Sequence, residues 1–383
     1  MDAAALVRPV RDGLAQQLGL GRGSQWGTHL GWAQDADLQQ GLGLDSIELV
    51  EGAERTSRMF MLDRLGWEDY LLRDRTLHGW ASVAAATLAD SGELRFLSSG
   101  SQLQARESVH RLEALQQEAT CFAACIGTRA TVRVAVPTYH IYGFIFGVLL
   151  PRALGAPVVD YCGRLPSTLL RESNPGDLVI AHPLIWQALA AADAEWAADI
   201  TGVTSTAPCP PETIAQLRRR GLGRMLEVYG SSETAGIGWR EDPASAFTLL
   251  PRWQVAHDGD MPVLVDDTGR QMAFPDRVEA GADGVRPVSR RDEAVQVAGQ
   301  NVYPGEARRV LESHPSVATA SVRLDERSGR LKAFVVVHGG VEPDADALRA
   351  WCRGHLGDAA APARFRFGSE LPIGVMGKAA DWE

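Results

Sequence analysis

The chain is predicted to be an α/β protein: a large N-terminal lobe with a mostly parallel sheet and flanking helices, then a small α+β C-terminal lobe. A helical segment precedes both. Three observations carry this expectation. Residues 1–90 place apolar side chains three and four positions apart, the period of amphipathic helices. From Leu94 to Val228 short apolar runs alternate with amphipathic stretches, the pattern of strand–helix–strand units. Beyond a short polar segment, Ser289–Glu293, the alternation resumes on a smaller scale.

Each block divides further. In residues 1–90, helices are expected over Leu6–Leu18, Ser46–Met61 and Leu77–Leu88, with Gly- and Gln-rich turns between them. Residues 91–288 give strands at Leu94–Leu97, Val132–Val136, Pro157–Asp160, Leu178–Ala181, Gly202–Ser205 and Arg224–Val228. Helices fall between them near Val109–Cys125, Tyr142–Leu154, Leu184–Ala192 and Pro211–Arg219. Residues 289–383 read as strand Ala294–Val297, helix Gly305–Ser313, strands Val317–Leu324 and Leu331–Val337, and helix Ala345–His355. No internal repeat or low-complexity tract interrupts the pattern.

Composition narrows the class. At 383 residues, 45% hydrophobic and 22% charged, the chain is long enough for two or three domains with real cores. No apolar run reaches membrane-spanning length, and the opening MDAAALVRPVRDGL lacks the basic-then-apolar build of a signal peptide. The five cysteines are scattered without zinc spacing, and Cys121 and Cys125 sit in an apolar helical stretch. A reduced, cytoplasmic protein with no membrane partner is expected. A net charge of −10 argues against a nucleic-acid partner, which would need cations to neutralise phosphate.

Particular residues point to chemistry. Lys and Arg total 38, yet only Lys332 and Lys378 are lysine. Lys378 follows a glycine close to the C-terminus, where a compact, flexible ammonium replaces the usual planar guanidinium fork. Residues Tyr229–Arg240 read YGSSETAGIGWR, a Gly/Ser-rich turn in which Glu233 offers the hard oxygen that suits Mg²⁺. In Leu42–Phe60, LGLDSIELVEGAERTSRMF, Asp45 or Ser46 caps a helix and Glu48 suits its dipole.

Six segments, read in order, resemble the adenylate-forming superfamily of acyl- and aryl-CoA ligases and adenylation domains. They are LSSGSQLQAR (Leu97–Arg106), PTYHIYGF (Pro137–Phe144), VTSTAPCP (Val203–Pro210), YGSSETAGIGW, SRRDEAVQVAGQNVYPGE (Ser289–Glu306) and LPIGVMGK (Leu371–Lys378). HIYGFIFGVLLPRALGAPVVD and the closing GKAADW are most similar to the short 4-coumarate–CoA ligase type associated with photoactive yellow protein. The resemblance implies a large lobe and a mobile small lobe, with ATP, Mg²⁺ and CoA as reactants and cofactor. By the same resemblance Lys378 bridges the carboxylate and α-phosphate oxygens, and His140 packs beside the acyl pocket and gates the thiol tunnel.

The nucleotide would be held by Ser99, Gly100 and Ser101, by Ser205, Thr206 and Ala207, and by Tyr229, Gly230, Ser231 and Ser232. Glu233 would hold the metal. Asp276 and Arg290 match ribose contacts, and Asp292 falls at the hinge. The acid would lie against Tyr139, Tyr142 and Phe144. One departure stands out: where the family's phosphate loop has a second glycine and a proline, this chain has Gln102, Leu103, Ala105 and Arg106. Glycine there lets backbone amides close on phosphate, and Leu103 obstructs that.

The segment around Ser46 also resembles the attachment site of acyl carrier proteins, in which that serine bears phosphopantetheine, although a plain helix cap gives the same pattern. Three readings therefore stand. The first is ATP-dependent activation of an aromatic carboxylic acid, 4-coumarate- or hydroxybenzoate-like, and transfer to CoA. The second delivers the acyl group to an acyl carrier protein, in cis on Ser46 or in trans. In the third, a pseudo-ligase with a degenerate phosphate loop serves a binding or scaffolding role.

Overall fold

The computed structural model describes residues 1–18, 31–97, 107–192, 194–259, 261–290, 295–297, 300–325, 327–340, 344–372 and 382. Two compact units result, Met1–Pro251 and Arg252–Glu383. The division thus falls earlier than the boundary read at 288/289, and residues 1–90 are part of the first unit. Residues 253–290 account for the difference, because they pair among themselves as antiparallel strands rather than joining the parallel sheet.

The first unit opens with helices α1 (Ala3–Gln17), α2 (Ser46–Phe60), α3 (Leu62–Leu65), α4 (Asp69–Arg73) and α5 (Leu77–Ser91). Leu6, Val10 and Leu14 recur every four residues on α1 and are all buried, the stripe that an amphipathic helix presents to a core. Trp80 of α5 is fully buried beside them, a burial that contributes roughly 2–3 kcal/mol. Gly52 lets α2 close on this layer, since a Cβ there would stand 2.3 Å from Leu14 Cδ1. Helix α2 starts with a complete capping box: Asp45 accepts from the amides of Ile47 and Glu48, and Glu48 accepts from the amide of Asp45. That box accounts for the Asp-Ser pattern by itself.

Strand β1 (Glu93–Leu97) pairs antiparallel with β2 (Glu107–Arg111), which leads directly into α6 (Leu112–Ile126). Residues 109–111 were expected to be helical. They are extended because ESVHR alternates exposed and buried side chains across the ribbon.

Then follow β3 (Val132–Val134), α7 (Ile141–Phe144), a π-helical turn (Ile145–Leu149), α8 (Leu150–Leu154), β4 (Val158–Asp160), α9 (Pro166–Glu172), β5 (Leu178–Ile180) and α10 (Pro183–Ala191). The unit closes with β6 (Thr201–Thr204), α11 (Pro211–Arg219), β7 (Arg224–Ser231), β8 (Ala235–Arg240) and β9 (Thr248–Leu249). The strands form one seven-stranded sheet in the order β4-β3-β5-β6-β7-β8-β9. Pairing is parallel from β4 to β7 and antiparallel beyond it.

The middle strands β3, β5 and β6 are buried at every position; β5 reads as an apolar run, whereas β3 and β6 also bury Arg133, Thr201 and Thr204. On one face Val179, Ala181 and Met225 pack with Trp186, Leu189, Ile214 and Leu217 from α10 and α11. On the other, Gly147 of the π turn lies so close to Val134 that a Cβ would sit 3.0 Å from it.

The second unit holds a three-stranded antiparallel sheet, β10 (Trp253–Asp258), β11 (Met261–Asp266) and β12 (Gln271–Ala273), and the ribbons β13 (Asp276–Gly281) with β14 (Gly284–Arg290) and β15 (Val295–Val297) with β16 (Gln300–Val302). It continues with α12 (Pro304–Glu312), β17 (Val317–Asp325), β18 (Arg330–Val337), α13 (Ala345–Leu356) and β19 (Arg364–Phe367). Leu311, Val317, Leu331, Val335, Leu348 and Cys352 form its core. Trp382 docks on β18, where its carbonyl accepts from Lys332 Nζ at 2.6 Å and its ring meets Phe334 edge-on at 5.8 Å. Among the described residues no helix is long and apolar enough to cross a membrane.

Candidate active site

In the first unit the chain leaves β3, β5, β6 and β7 at the same edge of the sheet. The residues just beyond them are Pro137–His140, His182, Ser205–Ala207 and Ser232–Glu233. Open α/β sheets bind ligands beyond the carboxyl ends of their parallel strands. The fold therefore gathers the first-unit candidates at the edge where such a site is expected.

Two of these segments are tied directly. Ser205 Oγ donates to the carbonyl of Val228 at 2.9 Å, linking the end of β6 to β7, and the amide of Cys209 donates to Glu227 Oε1 at 3.0 Å. The next residue, Thr206, has φ of 81°, a left-handed conformation that a β-branched side chain adopts only under constraint. That strain falls among the residues expected to line the nucleotide.

The turn from β7 to β8 is built by its own hydroxyls. Ser231 Oγ accepts from the amides of Glu233 and Thr234 at 3.2 and 3.3 Å, and Thr234 Oγ1 accepts from the Ser231 amide at 3.1 Å. Gly230 is required, since a Cβ would stand 2.1 Å from the carbonyl of Ala235. Tyr229 packs its ring 5.3 Å from that of Phe247. Glu233 is exposed at the tip. Two residues that the sequence reading missed support the turn from β2 and α6. His110 Nε2 donates to the carbonyl of Ser232 at 2.7 Å, and the buried Glu118 carboxylate accepts the Gly236 amide with both oxygens at 3.1 Å. The alternating ESVHR run was the available signal for His110; nothing local marked Glu118.

His140 caps α7 with an extended backbone, and its ring lies 4.1 Å from that of Tyr139. The turn before it is held from α1. Buried Asp12 accepts from both the amide and the hydroxyl of Thr138, at 2.9 and 2.7 Å, while pairing with Arg11 at 2.7 Å. Arg11 also pairs with Asp160. Burial opposes the charge of Arg11, yet Asp12 and Asp160 outweigh it and raise its pKa. A second close approach fixes the bend: a Cβ on Gly143 would lie 1.9 Å from the carbonyl of Pro137.

Tyr142 and Phe144, expected at an acyl pocket, serve the core instead. Phe144 is fully buried, and the Tyr142 hydroxyl donates to the carbonyls of Ala181 and Val203 at 3.1 and 2.9 Å. The Tyr139 hydroxyl donates to Gln16 Oε1 at 2.8 Å. His182, which caps α10, escaped the sequence reading; burial pushes its pKa down to about 4, so it is neutral near pH 7.

In the second unit Asp276 and Arg290 are cross-strand partners on one rung of the β13–β14 ribbon, so the two expected ribose contacts are neighbours there. Ser46 is exposed in the first turn of α2, nine residues and about 13 Å along the axis from Arg55. Ser99, Gly100, Ser101, Gln102, Leu103, Ala105, Arg106, Asp292 and Lys378 lie outside the described residues. No group of three or more His, Cys, Asp or Glu that could hold a metal occurs among the described residues. Glu233 alone fits Mg²⁺, an ion that keeps several waters and takes one or two carboxylates beside substrate phosphates.

A sheet edge of this kind, with its Gly/Ser turns and an exposed carboxylate, agrees with what the family comparison finds. The AMP-binding enzyme family matches residues 100–281, and the AMP-binding enzyme C-terminal domain matches residues 309–378. The chain belongs to this family of adenylate-forming enzymes and is an acid–thiol ligase. Among its relatives, a 4-coumarate–CoA ligase of Halorhodospira halophila is 34% identical over 99% of each chain. Another, from Cereibacter sphaeroides, is 36% identical over 89% of this chain and 84% of its own. The o-succinylbenzoate–CoA synthetase of Bacillus subtilis, solved in complex with AMP, superposes with a TM-score of 0.58 at 20% identity, over 74% of this chain and 67% of that one. At that identity the likeness shows the fold.

Proposed function

We propose that the protein activates an aromatic carboxylic acid of the 4-coumarate type with ATP and passes the acyl group to the thiol of CoA. The observation that carries this reading is the grouping of Ser205–Ala207, the Tyr229–Glu233 turn and His140 at the carboxyl edge of the parallel sheet. The names of the full-length relatives support the substrate class.

The chemistry joins two anions. A carboxylate oxygen attacks the α-phosphorus, the bond to the bridging oxygen breaks, and pyrophosphate leaves. The thiolate of CoA then attacks the acyl carbon and AMP departs. Positioning and charge neutralisation supply most of the rate in such a step. Ser205–Ala207 and the β7–β8 turn line the nucleotide side, and Glu233 is the residue that would hold Mg²⁺, which supplies positive charge at the phosphates. Asp12 fixes the turn that presents His140 towards the acyl group. Asp276 and Arg290 meet the ribose, Asp292 serves as the hinge, and Lys378 neutralises the meeting oxyanions.

ATP–pyrophosphate exchange tests this. Exchange is expected to depend on 4-coumarate or a close aromatic acid and to stop when Mg²⁺ is chelated. Absence of exchange with every acid in an aromatic and aliphatic panel would overturn the reading.

A further inference from the structure

Arg55, on the inner side of α2, carries a guanidinium that packs over the Tyr139 ring at 4.8 Å from its centre. Burial lowers its pKa, with only the nearby Tyr139 acting against that, and no carboxylate among the described residues pairs with it. Its neighbours differ. Arg58 pairs with Glu54 at 2.5 Å, and Arg95 pairs with Asp63 and Glu107 at 3.1 and 3.4 Å. All three arginines line one cavity of about 40 Å³, walled also by Gly13, Phe60, Leu97, Tyr139 and His140. The cavity thus holds two neutralised cations and one that no described residue compensates.

Arg55 is half-buried, and a guanidinium partly removed from water without a counter-ion regains only part of its lost hydration from an aromatic face. Arginine cannot shed its charge to escape this, because its pKa stays far above any working pH. Such a group is a ready partner for an anion that enters the cavity. The place is informative: one wall is His140, and another is Leu97, the last described residue before the segment that resembles a phosphate loop. The size suits a small planar or tetrahedral oxyanion, which a guanidinium fork grips with two parallel hydrogen bonds.

We infer that this cavity is an anion subsite of the active site, in which Arg55 pairs with a carboxylate or phosphate oxygen of a reactant. The inference rests on the ligase reading above and assigns to the N-terminal helical segment a part in substrate binding. Carboxylate and phosphate share the chemistry, and kinetics separate their sources.

The test uses Arg55→Gln, Arg55→Met and Arg55→Lys in the full chain. Michaelis constants are measured for acid and ATP in pyrophosphate exchange and for CoA in thioester formation, with the thermal midpoint of the ligand-free protein. The glutamine and methionine variants are expected to raise one Michaelis constant by about tenfold or more while kcat changes much less. The reactant whose constant rises identifies the anion. Arg55→Met is expected to keep or raise the ligand-free thermal midpoint, since it removes a half-buried charge that no described carboxylate pairs. Unchanged Michaelis constants overturn the proposal, and a fall in thermal midpoint with unchanged constants marks a packing role. If neither variant folds, Arg55→Lys decides alone by the same constants, because lysine cannot reproduce the fork. If the wild-type protein shows no exchange with any acid, calorimetric titration with benzoate and with pyrophosphate decides. Binding of either that is lost in Arg55→Gln upholds the subsite, and no binding, or equal binding by both proteins, sinks it.

Discussion

Glu118 and His182 are single residues whose burial sets their effect. Both oxygens of Glu118 accept the Gly236 amide beneath the turn that carries Glu233. Glu118→Ala takes both carboxylate acceptors from that donor, and urea unfolding is expected to show a loss of about 1–3 kcal/mol. His182 acts through protons. Its folded pKa, about 4, lies below the ordinary 6.5, so the unfolded chain binds a proton first as pH falls. Its contribution is complete above pH 6.5 and drains away as pH drops from 6.5 toward 4. Thermal midpoints of His182→Gln are expected to fall less steeply than those of the wild-type protein across that window. A parallel fall in both proteins would contradict the assignment.

At the scale of elements, the turn between β3 and α7 is fixed from two sides. Asp12→Ala removes a buried ion-pair partner and the carboxylate oxygen that accepts from both Thr138 donors, and should cost about 3–5 kcal/mol. Gly143→Ala forces a Cβ onto the Pro137 carbonyl and should cost on the order of 3 kcal/mol, read from the same denaturant midpoints. Elements with a strong period or a compact run between breakers were legible in the sequence: α1, α2, α5, the five parallel strands, α12 and α13 fall within a few residues of expectation. Elements without one were not. β2 runs into α6 with no breaker between them, and β8 is a glycine-rich AGIGWR with little alternation to see. In β14 a register shift interrupts the period opposite Arg277 and Val278, and a linker was read where that strand ends. The site followed the same rule. Gly/Ser turns announce themselves locally, whereas His110, Glu118, Asp12 and Arg55 act across many intervening residues and carry no local mark.

For the whole molecule, each unit owns a closed hydrophobic core. Calorimetric unfolding is therefore expected to depart from a single two-state transition, with a van't Hoff enthalpy smaller than the calorimetric one. Equal enthalpies would mean that the units melt as one. Function is expected to need both: Lys378→Ala should reduce pyrophosphate exchange by about a hundredfold or more, while transfer from a supplied acyl-adenylate survives.

The wide turn at Ile145–Leu149 has a consequence of its own. A π turn is the footprint of one residue more than an α-helix needs, and it sets the rotational phase between the His140 end of this stretch and Leu154. Deleting one residue of the turn would let the helix rewind at the ordinary pitch with its flanks in nearly their present phase, whereas adding one more would swing everything after it by about 100°. Leu150 and Pro151 would then leave the interior, so this stretch should tolerate the loss of one residue better than the gain of one.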